Sequence, residues 1–328
     1  MRLSTLNGFK KNLVGASLAT LLGAATLFAL PTHAATPMVK SATPGFYRVM
    51  LGDFEVTALF DGAVNLPVDQ LLTNTTKEKT IDALKKFHLA SPVETSVNAY
   101  LINTGTHLVL IDTGAANRFG PTLGKLQASL KAAGYQAEQI DEVYITHMHG
   151  DHLGGLIVDE KMAFPNAVIR ADQQDMDFWL SQANMDKAAA DAKGFFQVAM
   201  ASINPYLKAG KFKAFDGDTE LVPGIKAIAT HGHTAGHTIY AVESKGQKLM
   251  LWGDLMHVAA VQFENPSITI KFDSDSKAAM AQRKKAYADA AKQGYMVGVA
   301  HISFPGLGYV RSEAKGYAWV PVNYSPLK

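Results

Sequence analysis

The chain has 328 residues, 48% of them hydrophobic and 18% charged, with a formal net charge of +2, so it can bury one large core or two modest ones. It has no cysteine, which excludes disulfides, thiolate metal ligands and a lipidated cysteine. After residue 34 there is no long Lys/Arg run or basic stripe with interleaved aromatics, so nothing calls for a nucleic-acid partner.

Residues 1–34 read as a signal peptide. Arg2, Lys10 and Lys11 precede an apolar run from Leu13 to Leu30, and Thr32 and Ala34 occupy the minus-three and minus-one places of a cleavage site. Cleavage after Ala34 is expected, giving an exported protein, periplasmic or secreted, without a membrane anchor. The Gly, Ala, Ser and Thr content of the run makes it weakly hydrophobic for a retained span. Losing Arg2, Lys10 and Lys11 takes the net charge to −1, so the apparent basicity of the whole chain says little about partners.

The remaining residues 35–328 show no repeat, low-complexity tract or linker and are expected to form one domain. The stretch YRVMLGDFEVTALFDG predicts two strands joined at Gly52–Asp53. Next comes a helix with Ile81, Leu84 and Phe87 on one face, then strands in AYLINTG and HLVLIDTG around a turn at Asn103–Gly105. GPTLGKLQASLKAAGY predicts a helix, with Leu123, Leu126 and Leu130 at helical spacing and Gly134 as its stop. EVYIT is a strand that delivers the chain into THMHGDHLGGL. Further on, AVIRA reads as a strand, DQQDMDFWLSQ as a helix with an acidic first turn, and IKAIAT as a strand running into HGHTAGH. IYAVES and KLMLWGD form a hairpin around Lys245–Gln247, and a long amphipathic helix stopped by Gly294 precedes the strand YMVGVAH. Strands with intervening helices in both halves predict an α/β layered sandwich.

Histidine and carboxylate ligands suit borderline divalent metals, and a site needs several of them converging from different loops. Four predicted strand ends offer them: His147, His149, Asp151 and His152 at the first, His231 and His233 at the second, Asp254 at the third, His301 at the fourth. A lone histidine after a strand is usually a hydrogen-bonded core or surface residue. The dense cluster at 147–152 is not explained by packing.

HMHGDH resembles the HxHxDH signature of the metallo-β-lactamase fold, and the downstream GHT, GD and AH elements follow in that superfamily's order. The similarity runs over most of residues 35–328. It is nearest to the methyl parathion hydrolase branch in LGDFEVTALFDG, TSVNAYLINTG, ITHMHGDHLGGL, AFPNAV, NPYLKAGKF and AKGYAWVPVNYS. The resemblance implies an αββα four-layer sandwich with a binuclear centre along one edge. By the same likeness, His147, His149 and His233 would hold one ion, Asp151, His152 and His301 the other, and Asp254 would bridge them. Asp112 would support the ligand loop, and His231 and His237 are read as hydrogen-bonding neighbours. The ions are expected to be zinc, with Mn, Co or Fe also compatible.

Two such ions bring the pKa of a shared water toward neutrality and polarise a carbonyl or phosphoryl oxygen, so hydroxide attack on an ester is the expected reaction. Asp254, Asp151 and His257 are its candidate catalytic residues, His257 to orient the substrate or protonate the leaving group near neutral pH. Phe119, Trp179 and Phe195 match an aromatic rim in the related branch, with core packing as the alternative. Leu72 stands where organophosphate hydrolases carry Arg, and His257, Ile270 and Phe272 replace small or aliphatic pocket residues. This bulkier pocket favours a planar carbonyl, so a lactone or aryl ester of the dihydrocoumarin type is the expected substrate. An organophosphate triesterase is the alternative, and a non-catalytic exported metal-binding protein a more distant one. Likeness to the branch also suggests a homodimer.

Overall fold

The computed structural model describes residues 43–325, together with Pro37, Met38, Lys40 and Leu327. The expected signal segment and its cleavage point lie outside these residues. Two sheets carry the fold. The first holds, in spatial order, Phe46–Leu51, Phe54–Leu66, Val93–Asn103, Leu108–Ile111, Glu142–Tyr144 and Val168–Arg170. The second holds Thr219–Val222, Ile225–Ala229, Thr238–Ser244, Gln247–Leu251, Met296–Gly298, Leu307–Ser312 and Tyr317–Pro321. In each sheet spatial order equals chain order, so neighbouring strands are also neighbours in sequence.

Strands of the first sheet are apolar on both faces, because both are covered. On one face Val56, Ala58, Tyr100, Ile102, Val109 and Ile111 meet Ile225, Ala227, Tyr240, Val242, Leu249 and Leu251 of the second sheet. On the other, Leu59, Leu101, Leu110 and Val143 pack with Leu126 and Leu130 of the helix Leu126–Ala132 and with Phe196, Ile203 and Tyr206 of the helix Lys193–Lys208. The outer face of the second sheet is covered by the helix Ser276–Gln293 through Ala286, Tyr287 and Ala290. Helix, sheet, sheet, helix is the expected four-layer sandwich.

Local differences from the sequence reading have physical causes. The helix expected from about residue 120 begins at Leu126. Gly120 and Gly124 hold positive φ, and the buried Asp61 carboxylate accepts the N–H groups of Ala115, Gly124 and Leu126, so the approach to the helix is a loop tied across the fold. Phe87 is exposed because its helix, Lys77–Lys85, ends before it. The helix Lys193–Lys208 carries an internal Pro205, and its Gly194 and Pro205 disguise it in sequence. Among the described residues, no helix is long and apolar enough to cross a membrane.

Candidate metal centre

Ends of strands from both sheets meet along one edge. Beyond Glu142–Tyr144 the chain passes through Thr146 and His147 into the short helix Gly150–Leu153, which carries Asp151 and His152. His233 lies on the loop between Ile225–Ala229 and Thr238–Ser244, Asp254 follows Gln247–Leu251, and His301 follows Met296–Gly298. Gly253 takes φ of +52°, and a Cβ there would meet the Thr146 side chain at 2.9 Å and His237 Nε2 at 3.0 Å. Glycine is therefore what lets Asp254 be set against the first loop.

The seven expected donors come together in two groups. His147, His149, His233 and Asp254 place one donor atom each within 4.8 Å of one another, and Asp151, His152 and His301 do the same. In the first, His149 Nδ1 is 3.1 Å from both His147 Nε2 and His233 Nε2, and Asp254 Oδ2 is 3.5 and 3.3 Å from those two Nε2 atoms. In the second, Asp254 Oδ1 is 3.2 Å from His152 Nε2 and 3.1 Å from His301 Nε2, while Asp151 Oδ2 is 3.5 and 3.4 Å from the same atoms. Asp254 thus turns one oxygen to each group.

These spacings fit a pair of cations. Ligands at the usual zinc distance of about 2.0–2.1 Å in a tetrahedron stand roughly 3.3 Å apart. His152 Nε2 and Asp254 Oδ1 are buried and without a hydrogen-bond partner, a costly state for polar atoms unless something else is bound there. The far ring nitrogens are held by other groups, as metal-binding imidazoles require. His152 Nδ1 meets Asp112 Oδ2 at 2.8 Å, His233 Nδ1 meets Asp273 Oδ1 at 2.9 Å, and His301 Nδ1 faces the Ser96 carbonyl at 2.9 Å. Each contact orients its ring so that Nε2 points to the centre.

Electrostatics divide the histidines. Burial pushes the pKa of His149 down to about 3, and that of His147 well below its ordinary value. For His301 burial also opposes the charge, but Asp254 and Asp151 outweigh it and push its pKa up to about 10. His152 is raised likewise against burial, by Asp254, Asp151 and Asp112. Burial raises the carboxyls, yet the facing histidines hold Asp254 well below the carboxylate range.

Asp112 sits at φ of +61°, a strained position for a residue other than glycine, and accepts from Thr146 N and Thr146 Oγ1 as well as from His152. His237 is a hydrogen-bonding neighbour, its Nδ1 2.9 Å from Thr230 Oγ1 and its Nε2 accepting from Asp254 N. His231 is 3.3 Å from Asp172 and outside both donor groups. Two carboxylates that the sequence did not single out matter here. Asp273 orients His233, and Asp175 accepts from Met148 N, Thr234 Oγ1 and Gly236 N, tying the first ligand loop to the second. Asp175 lay in plain view as the acidic residue of a helix start, and that bland reading concealed it.

Beside the centre opens a cavity of about 190 Å³, with Val64, Leu66, Val97, Phe119, Phe195 and Phe272 as its apolar walls and His149, Asp151, Asp254, His257 and His301 at its base. Phe119 and Phe195 are partly exposed at its mouth. The other expected wall residues are not among its lining. Trp179 packs edge-on against His149 and belongs to the core under the first sheet. Leu72 and Ile270 pair with each other and are buried with Val68, Leu84 and Val258, so they back the wall instead of forming its surface. His257 is buried, its Nε2 3.0 Å from Asp254 Oδ2. Burial lowers its pKa, with Asp254 opposing.

The chain belongs to the metallo-β-lactamase superfamily, whose family model matches residues 92–292. It is 26% identical over 206 residues to an N-acyl homoserine lactonase from Bacillus sp., a match covering 57% of this chain and 74% of the relative. Among solved structures it is similar to AbOPH, a hydrolase in the β-lactamase superfamily (35% identity, TM-score 0.83, 87% of this chain and 100% of that one). It is also similar to AidC, a dizinc quorum-quenching lactonase in complex with the product N-hexanoyl-L-homoserine (28% identity, TM-score 0.78, 86% and 99%). The protein is a metal-dependent hydrolase of this superfamily.

Proposed function

We propose that the protein is a binuclear hydrolase of neutral lactones and aryl esters, of the dihydrocoumarin type. One observation carries the reading: four of the seven converging donors, His149, Asp151, Asp254 and His301, line a cavity that is otherwise mostly apolar and aromatic and whose lining includes no lysine or arginine. A uniformly apolar wall with the polar groups gathered at one end binds an uncharged substrate and aims its reactive group. The lactonase relatives support the same choice.

His147, His149, His233 and Asp254 would hold one divalent cation, and Asp151, His152, His301 and Asp254 the other, with zinc first. When bound, such ions supply a hydroxide nucleophile at neutral pH and Lewis acidity toward the carbonyl oxygen. The chain's own residues do the rest. Asp112, Asp273 and the Ser96 carbonyl keep the rings in register, and Phe119, Phe195 and Phe272 exclude water and seat the flat ring of the substrate. His257, on the wall beside Asp254, would orient the ester or protonate the leaving group.

Triester hydrolysis is the second reading, since an uncharged aryl phosphotriester suits the same cation-free wall and the sequence resembles the methyl parathion hydrolase branch. Rates on dihydrocoumarin, an N-acyl homoserine lactone and an aryl phosphotriester, each repeated after chelation, decide between them. Faster, chelator-sensitive opening of a lactone supports the first reading, and faster triester cleavage replaces it. No chelator-sensitive activity on any of the three would leave metal binding without catalysis. Export after cleavage at Ala34 and a homodimer belong to the same proposal, checked by the N-terminal mass of the exported protein and by light scattering.

A further inference from the structure

Asp61 is the one residue of the strand Phe54–Leu66 that is skipped in its pairing with Val93–Asn103. Phe60 pairs with Asn98 and Gly62 with Val97, so the register slips between them and Asp61 is the extra residue of a bulge. Bulges beside active sites re-aim a side chain. Here the carboxylate is turned inward and is 1% exposed. Its Oδ2 accepts from Ala115 N at 2.9 Å and from Gly124 N at 3.1 Å, and its Oδ1 accepts from Leu126 N at 3.0 Å. The Asp61 carbonyl accepts from Lys125 N at 2.9 Å. Four N–H groups from the two ends of segment 115–126 therefore converge on one residue of a strand distant in sequence. A carboxylate, with acceptor capacity on both oxygens and no donor, is the side chain that answers all three donors around it.

The backbone around these bonds is fitted closely. A Cβ on Gly62 would overlap the Thr122 carbonyl, and one on Gly114 would overlap the Asp61 carboxylate. The segment closed in this way carries Phe119, which is partly exposed at the mouth of the cavity. Its ring lies against Gly150, between the donors His149 and Asp151, where a Cβ would stand 3.0 Å from Phe119 Cζ. Asp61 is not in the cavity lining, but Val64 and Leu66 of its own strand are. One strand thus supplies part of the wall directly and anchors the segment that supplies the mouth.

We propose that Asp61 is a positioning residue for substrate binding: it holds the two ends of segment 115–126 together and so fixes Phe119 against Gly150 at the cavity mouth. The inference rests on the reading of that cavity as the substrate site and deepens it, because it assigns the shape of the mouth to a buried carboxylate away from the reacting atoms. A partly exposed ring buries too little surface to order its own segment against the entropy of the chain. Hydrogen bonds to an ionised acceptor, stronger than neutral ones, supply what that burial lacks.

The test compares the zinc-loaded protein with Asp61→Asn, whose amide NH2 must face at least one of the three N–H donors. Its first arm needs no substrate. In the wild type an NOE is expected between the Phe119 ring protons and the Gly150 α-protons, the ring being assigned by its absence in Phe119→Ala. That NOE should be lost in Asp61→Asn while zinc affinity, measured by chelator competition, is kept. A retained NOE overturns the proposal, and so does a loss of zinc in step with the NOE, which would place the effect in the centre. The second arm is kinetic. The KM for dihydrocoumarin should rise about two- to tenfold in Asp61→Asn, the worth of one aromatic contact, with a smaller change in kcat. In the Phe119→Ala background the same substitution should add nothing to KM, and additive increases overturn the proposal. If the wild type opens no lactone, the substrate reading fails while the NOE comparison still decides what holds Phe119. Should Asp61→Asn not fold, amide exchange in the wild type decides: the Ala115, Gly124 and Leu126 amides should exchange far more slowly than those of Asn117 and Gly120 at the tip of the segment, and equal exchange overturns the anchor.

Discussion

Asp273 shows how one side chain outside the donor set decides what a ligand does. It accepts from His233 Nδ1 at 2.9 Å and from Ile270 N at 3.2 Å, so it fixes the tautomer of His233 and the end of the segment behind the cavity wall. Asp273→Ala is expected to lower zinc affinity about 10–100-fold, measured by chelator competition; unchanged affinity would mean that the ring is held by packing alone. The raised pKa of His301 has a pH consequence with a definite sign. Its folded value of about 10 lies above its ordinary 6.5, so in the metal-free protein its contribution to stability is present in full below pH 6.5 and is lost as pH rises through about 10. Cations compete with those same protons and bind more tightly as pH rises. The gap in Tm between zinc-loaded and metal-free protein should therefore widen from pH 6.5 to 10, and a constant gap would show that the metal-free site does not hold the protons. At this scale the sequence told much. His147, His149, Asp151 and His152 are close in the chain, so local geometry alone keeps them together. It was silent on Asp273 and Asp175, whose partners lie on loops distant in sequence.

The helix Ser276–Gln293 is the element that links packing to chemistry. Asp275 caps it, with Oδ1 accepting from Lys277 N at 3.0 Å and Ala278 N at 2.9 Å. The residues leading into it pair with the second ligand loop, Ser274 N donating to His233 O and Asp275 N to Gly232 O. Gly232 has φ of +147°, and a Cβ there would stand 2.4 Å from Ala279 N, so the loop and the helix start touch backbone to backbone. Asp275→Ala should cost about 1 kcal/mol, read as a lower midpoint in urea with metal retained. Gly232→Ala should do more, destabilising the fold and weakening zinc binding together, because the helix must retreat from His233. Equal zinc affinity in Gly232→Ala and wild type would show that the loop can move away freely. The long helix and the strand after it were legible from periodicity and from Gly294, which takes the left-handed conformation. The helix Lys193–Lys208 was not, because an internal proline and an early glycine break the local signal while burial of Phe196, Ala199, Ile203 and Tyr206 sustains the element.

For the whole molecule, the centre is a staple between the two sheets, since its donors come from loops of both. Ligands that bind only the folded state stabilise it by RT ln(1 + [L]/Kd), about 4 kcal/mol at a thousandfold excess over Kd. Removing the metals should therefore lower Tm by several degrees and restoring zinc should recover it, followed by calorimetry. A Tm indifferent to chelation would mean that the sheets need no such link. The chain alone determined the class of the centre, because a dense HxHxDH cluster and three later strand ends in fixed order are local facts about residue type and spacing. It also determined the layered α/β architecture, since strands buried on both faces and helices with one apolar face have few other ways to pack. Which residues form the cavity was decided only in three dimensions. Leu72 and Ile270 turn away to pair with each other, Trp179 joins the core beside His149, and Val64, Leu66 and Val97 become wall. A side chain's neighbours across a cavity depend on how distant loops are set against one another, and no spacing along the chain encodes that distance.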